Sequence, residues 1–161
     1  MAGGRGYRRR VPASHDAAAV AEAFASDPAS AAIVTDFDGT LSPIVVDPAG
    51  ARPLPGAVGV LHSLAGRYGR VAVVSGRPAA FLADRLGLAS RPRSRLAVAG
   101  LYGLERWDAG AGAVAVAAGA RPWAGVVRGV VARAASADLG GARVEDKGLS
   151  GTVHYREAPE A

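Results

Sequence analysis

Two aspartates one residue apart, Asp36 and Asp38, close the apolar run of IVTDFDGTLSPI, residues 33–44. Ile33 and Val34 read as a buried strand, so both carboxylates stand where that strand would leave its sheet. An aspartate at a strand end can act as a covalent nucleophile toward phosphorus. A second one two residues on projects to the same side of an extended chain, where it can protonate a leaving oxygen and later activate water. Gly39 would let backbone N–H groups approach a phosphate, and Thr40 offers a hydroxyl. A bound Mg²⁺ would offset the repulsion between phosphate and carboxylate. An Asp-Gly pair is also the ordinary make-up of a turn or helix cap. Phosphoryl chemistry is favoured because a second polar turn, Ser75-Gly76-Arg77, follows the next apolar run, RVAVV.

These turns need elements to hold them. Ala17, Val20, Ala21 and Phe24 lie at helical spacing, ended by Asp27-Pro28, and a strand follows at about 31–36. Four prolines from Pro43 to Pro55 hold an extended loop. Val58, Leu61, Leu64, Ala65 and Tyr68 then predict an amphipathic helix. Pro78 opens another helix, bearing Leu82 and Leu86 and closed by Gly87, before a third strand in LAVAGLYGLE. Alternating strands and helices predict right-handed βαβ units, with three parallel strands within 31–104. In such sheets ligands bind beyond the carboxyl ends of the strands, where Asp36, Asp38, Ser75 and Arg77 all fall.

After Glu105 the texture changes. WDAGAGAVAVAAG predicts a strand or hairpin, and Pro122 opens a helix with Trp123, Val126, Val127, Val130, Val131 and Ala134 on one stripe, stopped by Gly140-Gly141. ARVEDKGLSGTVHYR predicts two strands around a Gly-rich turn. Period-two alternation puts Val144, Val153 and Tyr155 toward a core. Arg143, Glu145, Lys147, Thr152, His154 and Arg156 then share the opposite face. Residues 1–13 read as a disordered basic leader, 14–105 as a core domain and 106–161 as part of a second α/β unit. Trp107, Trp123, His15 and His62 are read as packing residues.

Composition narrows the function classes. The formal net charge is +5, but removing Arg5, Arg8, Arg9 and Arg10 from the 19 basic residues leaves 15 against 14 acidic ones. The body is near neutral and has no aromatic platform, which argues against nucleic-acid binding. RGYRRRV is similar to a twin-arginine signal, yet His15, Asp16 and Glu22 interrupt any apolar core after it. No run of 18 apolar residues is present for a membrane span, and a cytoplasmic protein is expected. With no cysteine, thiolate chemistry is excluded. Lys147 is the single lysine in an arginine-rich chain.

DFDGTL resembles motif I of the haloacid-dehalogenase-like phosphatases, and VVSGR resembles their motif II. DFDGTLSPI, SGR, GLYGLE and VEDKGLSGTVHYR, in this order, are similar to the trehalose-6-phosphate phosphatases in particular, from about Ala31 to Arg156. The resemblance implies a partial Rossmann-like α/β core, a mixed α/β cap, and a sugar phosphate held between them. It implies Asp36 as nucleophile, Asp38 as acid and base, and Mg²⁺ held by the Asp36 carboxylate and the Asp38 backbone carbonyl. Phosphate would be bound by Gly39, Thr40, Ser75 and Gly76. Arg77 would order the site and meet substrate, and Glu145, Lys147 and His154 would bind sugar hydroxyls from the cap. Tyr102 and Glu105 would form the hinge side of the cleft.

The family pattern also has a core lysine and a later acidic loop, and neither follows in this chain; Lys147 falls in the cap and does not take the core lysine's place. The expectation is therefore a truncated chain whose strand at 31–35 becomes an unpaired sheet edge open to association. The isolated chain would then hydrolyse trehalose 6-phosphate at least ~1000-fold more slowly than a complete enzyme. Two functions stand at this point: a Mg²⁺-dependent phosphatase working through an aspartyl-phosphate, or an inactive fragment that binds a sugar phosphate or a partner.

Overall fold

The computed structural model describes residues 17–155 and 158–159. The basic leader, His15 and Arg156 lie outside the described residues. Helix α1 (Ala17–Ser26) is followed by β1 (Ala32–Thr35), α2 (Ala57–Arg67), β2 (Arg70–Val74), α3 (Ala79–Arg85) and β3 (Leu96–Gly100). β1 pairs parallel to β2 with Thr35 opposite Val73, and β2 pairs parallel to β3 with Val74 opposite Ala99. The three carboxyl ends therefore open on one side, as the βαβ pattern requires.

The helices lie where their apolar spacing puts them. Leu61 and Ala65, one turn apart on α2, are buried, as are Ala79, Leu82 and Ala83 on α3, and all join Val71, Val73, Leu96 and Val98 in one core. Gly87, at φ +65°, ends the α3 segment in the left-handed region that glycine tolerates. β1 has a hydrogen-bonded neighbour on one side only among the described residues, and Val34 on it is 64% exposed.

The Gly/Ala-rich segment after Leu104 forms a hairpin, β4 (Glu105–Asp108) and β5 (Ala113–Val116). It continues the core sheet in the order β1-β2-β3-β4-β5, with β4 antiparallel to β3. A boundary at Glu105 therefore cuts through a sheet, and the change of architecture comes after Val116. The reason is packing: Trp107 and Val114 lie against the core cluster, so the hairpin buries its apolar side there.

The remainder is a thinner layer. α4 (Ala124–Ala135) packs on β6 (Arg143–Asp146) and β7 (Gly151–His154), an antiparallel pair with Val144 opposite Val153. A Cβ on Gly151 would lie 2.5 Å from Val131 Cγ2, so the helix sits on the face that carries Val144 and Val153. α4 ends at Ala135, ahead of Gly140-Gly141, where the Ser136 hydroxyl turns back to the Arg133 carbonyl. The expected apolar stripe is mostly uncovered: Val131 is buried, but Trp123 is 62% and Val126 56% exposed, so Trp123 is not a packing residue. Val153 and Tyr155 are likewise exposed, because two short strands and one helix are too narrow to close a core over them.

Candidate active site

Beyond the carboxyl ends of the parallel strands lies a cleft of about 220 Å³ lined by Asp36, Asp38, Ser75, Gly76, Arg77, Tyr102 and Lys147. A larger hollow of about 440 Å³ runs between α2 and residues 91–95 and holds none of these groups. His62, at its wall, donates from Nε2 to the Leu86 carbonyl at 2.9 Å and meets Ser94 Oγ through Nδ1 at 2.8 Å, which is the structural role its helix predicts.

The alternation of an extended chain builds the first wall. Phe37 is fully buried and meets Phe81 edge-on at 5.9 Å, which turns Asp36 and Asp38 out to the cleft. Asp36 Oδ1 accepts from the Phe37 amide at 2.6 Å, and its other oxygen has no hydrogen-bond partner among the described residues. Both Asp38 oxygens accept from the Arg77 fork, at 2.9 Å from Nε and 2.8 Å from Nη2, while Nη1 donates to the Pro48 carbonyl at 2.5 Å. The hydrogen bond to Asp38, partly opposed by burial, pushes the Arg77 guanidinium further up from an already high value. Arg77 thus orders Asp38, and its three donor groups are already engaged.

Gly39 and Thr40 do not line the cleft. The Gly39 amide donates to the Ser42 carbonyl at 2.7 Å, and the Leu41 and Ser42 amides both reach the Phe37 carbonyl. At φ +79°, Gly39 serves the turn that reverses the chain after Asp38. Its N–H is therefore not offered to a phosphate.

The second wall is held from behind by GLYGLE. Ser75 is buried, its amide donates to the Ala99 carbonyl, and its Oγ accepts from the Arg77 amide at 3.3 Å. The Tyr102 amide donates to the Ser75 carbonyl at 3.0 Å and the Leu101 amide to the Arg77 carbonyl at 2.9 Å, gripping the turn at both ends. Leu101 and Tyr102 reach those carbonyls in the left-handed region, at φ 48° and 57°, a conformation costing about 1–2 kcal/mol per residue. A Cβ on Gly76 would lie 2.5 Å from Tyr102 Oη, so the phenol closes over the turn only because residue 76 is glycine. Glu105 Oε2 accepts from the Ala79 amide at 2.9 Å and caps α3, an N-terminal role that the sequence reading missed. A carboxylate placed shortly after a strand that abuts a helix start was the available signal.

From the other layer, Lys147 reaches across, its Nζ donating to the Gly76 carbonyl at 3.3 Å. The hairpin tip aims it: the Lys147 amide donates to the Ser150 carbonyl, and the Gly148 amide to Asp146 Oδ1. Glu145 and His154 stay outside the cleft wall as a pair, His154 Nε2 donating to Glu145 Oε2 at 2.8 Å, with Lys147 Nζ 3.5 Å from the same oxygen. Burial pushes the Glu145 carboxyl up, but the His154 hydrogen bond and the Lys147 charge outweigh it and hold the group below its ordinary value of 4.5.

Among the described residues no group of three or more His, Asp or Glu side chains converges as a metal cage. The oxygens on offer to a hard cation are the unpartnered Asp36 oxygen and the Asp38 main-chain carbonyl, which takes part in none of the loop's main-chain bonds. That donor set suits an ion that takes one or two protein ligands and keeps its waters and substrate phosphate as the rest.

A parallel α/β sheet with paired aspartates after its first strand and a Ser-Gly turn after its second is the architecture of the haloacid-dehalogenase-like phosphatases. The Trehalose-phosphatase family profile matches residues 34–161, and the chain belongs to that family. Trehalose-phosphate phosphatase of Mycolicibacterium paratuberculosis is 38% identical over 140 residues, which cover 79% of this chain and 31% of that protein. The Mycobacterium avium protein of the same name is 41% identical over 135 residues, with the same shares covered. The chain thus spans about a third of the length of these relatives, 31%. Among solved structures, the C-terminal domain of Candida albicans trehalose-6-phosphate phosphatase aligns with a TM-score of 0.59 and 27% identity, covering 80% of this chain and 43% of that one. A trehalose-6-phosphate phosphatase related protein, at TM-score 0.53 and 22% identity, shares the fold.

Proposed function

We propose that this chain carries the phosphoryl-transfer residues of a trehalose-6-phosphate phosphatase, releasing trehalose and orthophosphate. The observation that supports this most is the convergence of Asp36, Asp38, Ser75 and Gly76 on one cleft beyond the strand ends. The free Asp36 oxygen attacks phosphorus, and the phosphorus–oxygen bond to the sugar breaks as Asp38 passes a proton to the leaving alkoxide. Water then attacks the aspartyl-phosphate at phosphorus, Asp38 takes up its proton, and orthophosphate leaves with the Asp36 carboxylate restored. In the arrangement seen, both Asp38 oxygens accept from the Arg77 fork, which fixes the orientation of this carboxyl group at the cleft. Ser75 Oγ and Gly76 meet the phosphate oxygens. Mg²⁺, held by Asp36 and the Asp38 carbonyl, would supply positive charge against those oxygens.

Glu145 and His154, paired with each other next to Lys147, would take sugar hydroxyls. The substrate, a doubly charged sugar phosphate that does not cross a bilayer unaided, supports a cytoplasmic location; among the described residues no helix is long and apolar enough to cross a membrane. The side of β1 that no described strand pairs with is the surface through which a further strand would associate. The test is phosphate release from trehalose 6-phosphate, with Mg²⁺, by this protein. Asp36→Asn should lower kcat by on the order of 10³-fold or more, with the urea unfolding midpoint unchanged. An unchanged rate in that variant would overturn the reading.

A further inference from the structure

We propose that the hollow between α2 and residues 91–95 binds a polyphosphate anion, inorganic or carried by a nucleotide, on the guanidinium groups of Arg91, Arg93 and Arg95.

This hollow and the cleft lie at opposite ends of one strand. Residues 91–95 lead directly into β3, whose five residues end where the Ala99 carbonyl takes the Ser75 amide. At about 3.3 Å per residue, roughly 16 Å of strand separates the two places. Arg91, Arg93 and Arg95 all line the hollow, and all three are exposed, so a ligand meets them from solvent. Elsewhere Arg77 and Arg85 hold Asp38 and Asp84, whereas the arginines of the hollow hold no carboxylate among the described residues. A planar guanidinium matches the oxygens of a phosphoryl group two at a time. One phosphoryl group carries about two negative charges, so three guanidinium groups are matched by two phosphoryl groups or more.

The loop that carries these arginines is fixed from several directions. Pro92 stands in a turn closed by the Ser94 amide on the Arg91 carbonyl at 2.9 Å, and the Arg91 amide donates to the Leu88 carbonyl at 3.0 Å. Ser94 Oγ accepts from the Leu96 amide at 3.2 Å and meets His62 Nδ1 at 2.8 Å, while His62 Nε2 donates to the Leu86 carbonyl. His62 thus pins the loop to α2, and Arg93 and Arg95 flank the pinned residue. A held backbone lowers the entropy lost when their side chains close on an anion.

There is room for more than the phosphates. The hollow holds about 440 Å³, within the ~300–1,000 Å³ of small-molecule sites. Gly66, one turn after His62 on α2, keeps it open: a Cβ there would meet nothing within 4 Å.

The test titrates ADP and pyrophosphate, without metal, into the full chain and follows the ring resonances of ¹⁵N-labelled histidine. The chain has three histidines, so His15→Gln and His154→Gln assign His62. Either anion should shift His62 along a saturation curve, with an affinity that falls as salt is added. Tighter binding of ADP assigns the hollow to a nucleotide's phosphates, and equal affinities assign it to the inorganic anion. Arg91→Gln combined with Arg93→Gln should weaken binding by about 10- to 100-fold, two charge-assisted contacts being lost, with the urea midpoint unchanged. Gly66→Leu fills the hollow from a helical position and leaves the arginines in place; it should weaken ADP by about tenfold. A His62 resonance unmoved at ~10 mM of either anion, or moved as readily in both variants, overturns the proposal. So does a titration that shifts His154 alone, which would put the anion in the cleft.

Discussion

The two layers of this molecule contribute to one cleft on very different terms. The sheet side is closely packed: Phe37, Val71, Val73, Leu82 and Leu86 are fully buried in the core of the layer that carries Asp36, Asp38 and Ser75. The α4 layer buries only Val131 among its described residues, and it meets the cleft through one long side chain. The groups set for chemistry stand on the rigid side, where a small displacement would be costly in rate. Lys147 arrives from the looser side, so a rearrangement of that layer would withdraw it from the cleft without disturbing Asp36 or Asp38.

Substitutions can break this contrast. Leu82→Ala, emptying a fully buried site on α3, should cost about 2–5 kcal/mol in urea unfolding, and a loss below ~1 kcal/mol would mean that the core is not the rigid side. Gly100→Ala should come next, at about 1–3 kcal/mol, because its Cβ would stand 2.3 Å from the Ala79 nitrogen and 2.8 Å from the Arg77 carbonyl oxygen. Both neighbours are backbone and cannot swing aside. The variant should also loosen the Ser75–Arg77 turn, seen as faster amide exchange at Leu101 and Tyr102.

Acid sharpens the comparison from the other side. The folded Glu145 carboxyl sits below its ordinary value of 4.5, so its contribution is fully present above that pH and is lost as pH falls through the lowered value. The group is 39% exposed, which limits the effect to well under ~1 kcal/mol. Amide exchange in β6 and β7 should rise over that window while β2 and β3 stay protected, and Glu145→Gln should abolish the pH dependence. Equal loosening of both layers would contradict the division.

Much of the frame was legible in the chain because its signals are local. Leu61 and Ala65 one turn apart, the valines of RVAVV, and polar turns after apolar runs each state an element and its end within a few residues. The hairpin at 105–116 was harder: its Gly/Ala texture fits a strand in either layer, and only the packing of Trp107 and Val114 assigned it to the core sheet. The α4 stripe misled in the opposite sense, since periodicity says that a face is apolar and not that anything covers it.

At the cleft, the residue types and order of DFDGT and SGR determined by themselves that two carboxylates and a Ser-Gly turn would meet, because a parallel strand delivers its carboxyl end to the same side as its neighbour's. Which partner each group takes was decided by tertiary structure alone. Arg77 turned to Asp38 across 39 residues, Glu105 capped α3 across 26, and Lys147 reached the Gly76 carbonyl across 71. Each is a long-range choice among several equally available partners. A one-dimensional pattern sets a side chain's charge and face, but its hydrogen bonds depend on which backbone ends and carboxylates the folded chain brings within about 3 Å.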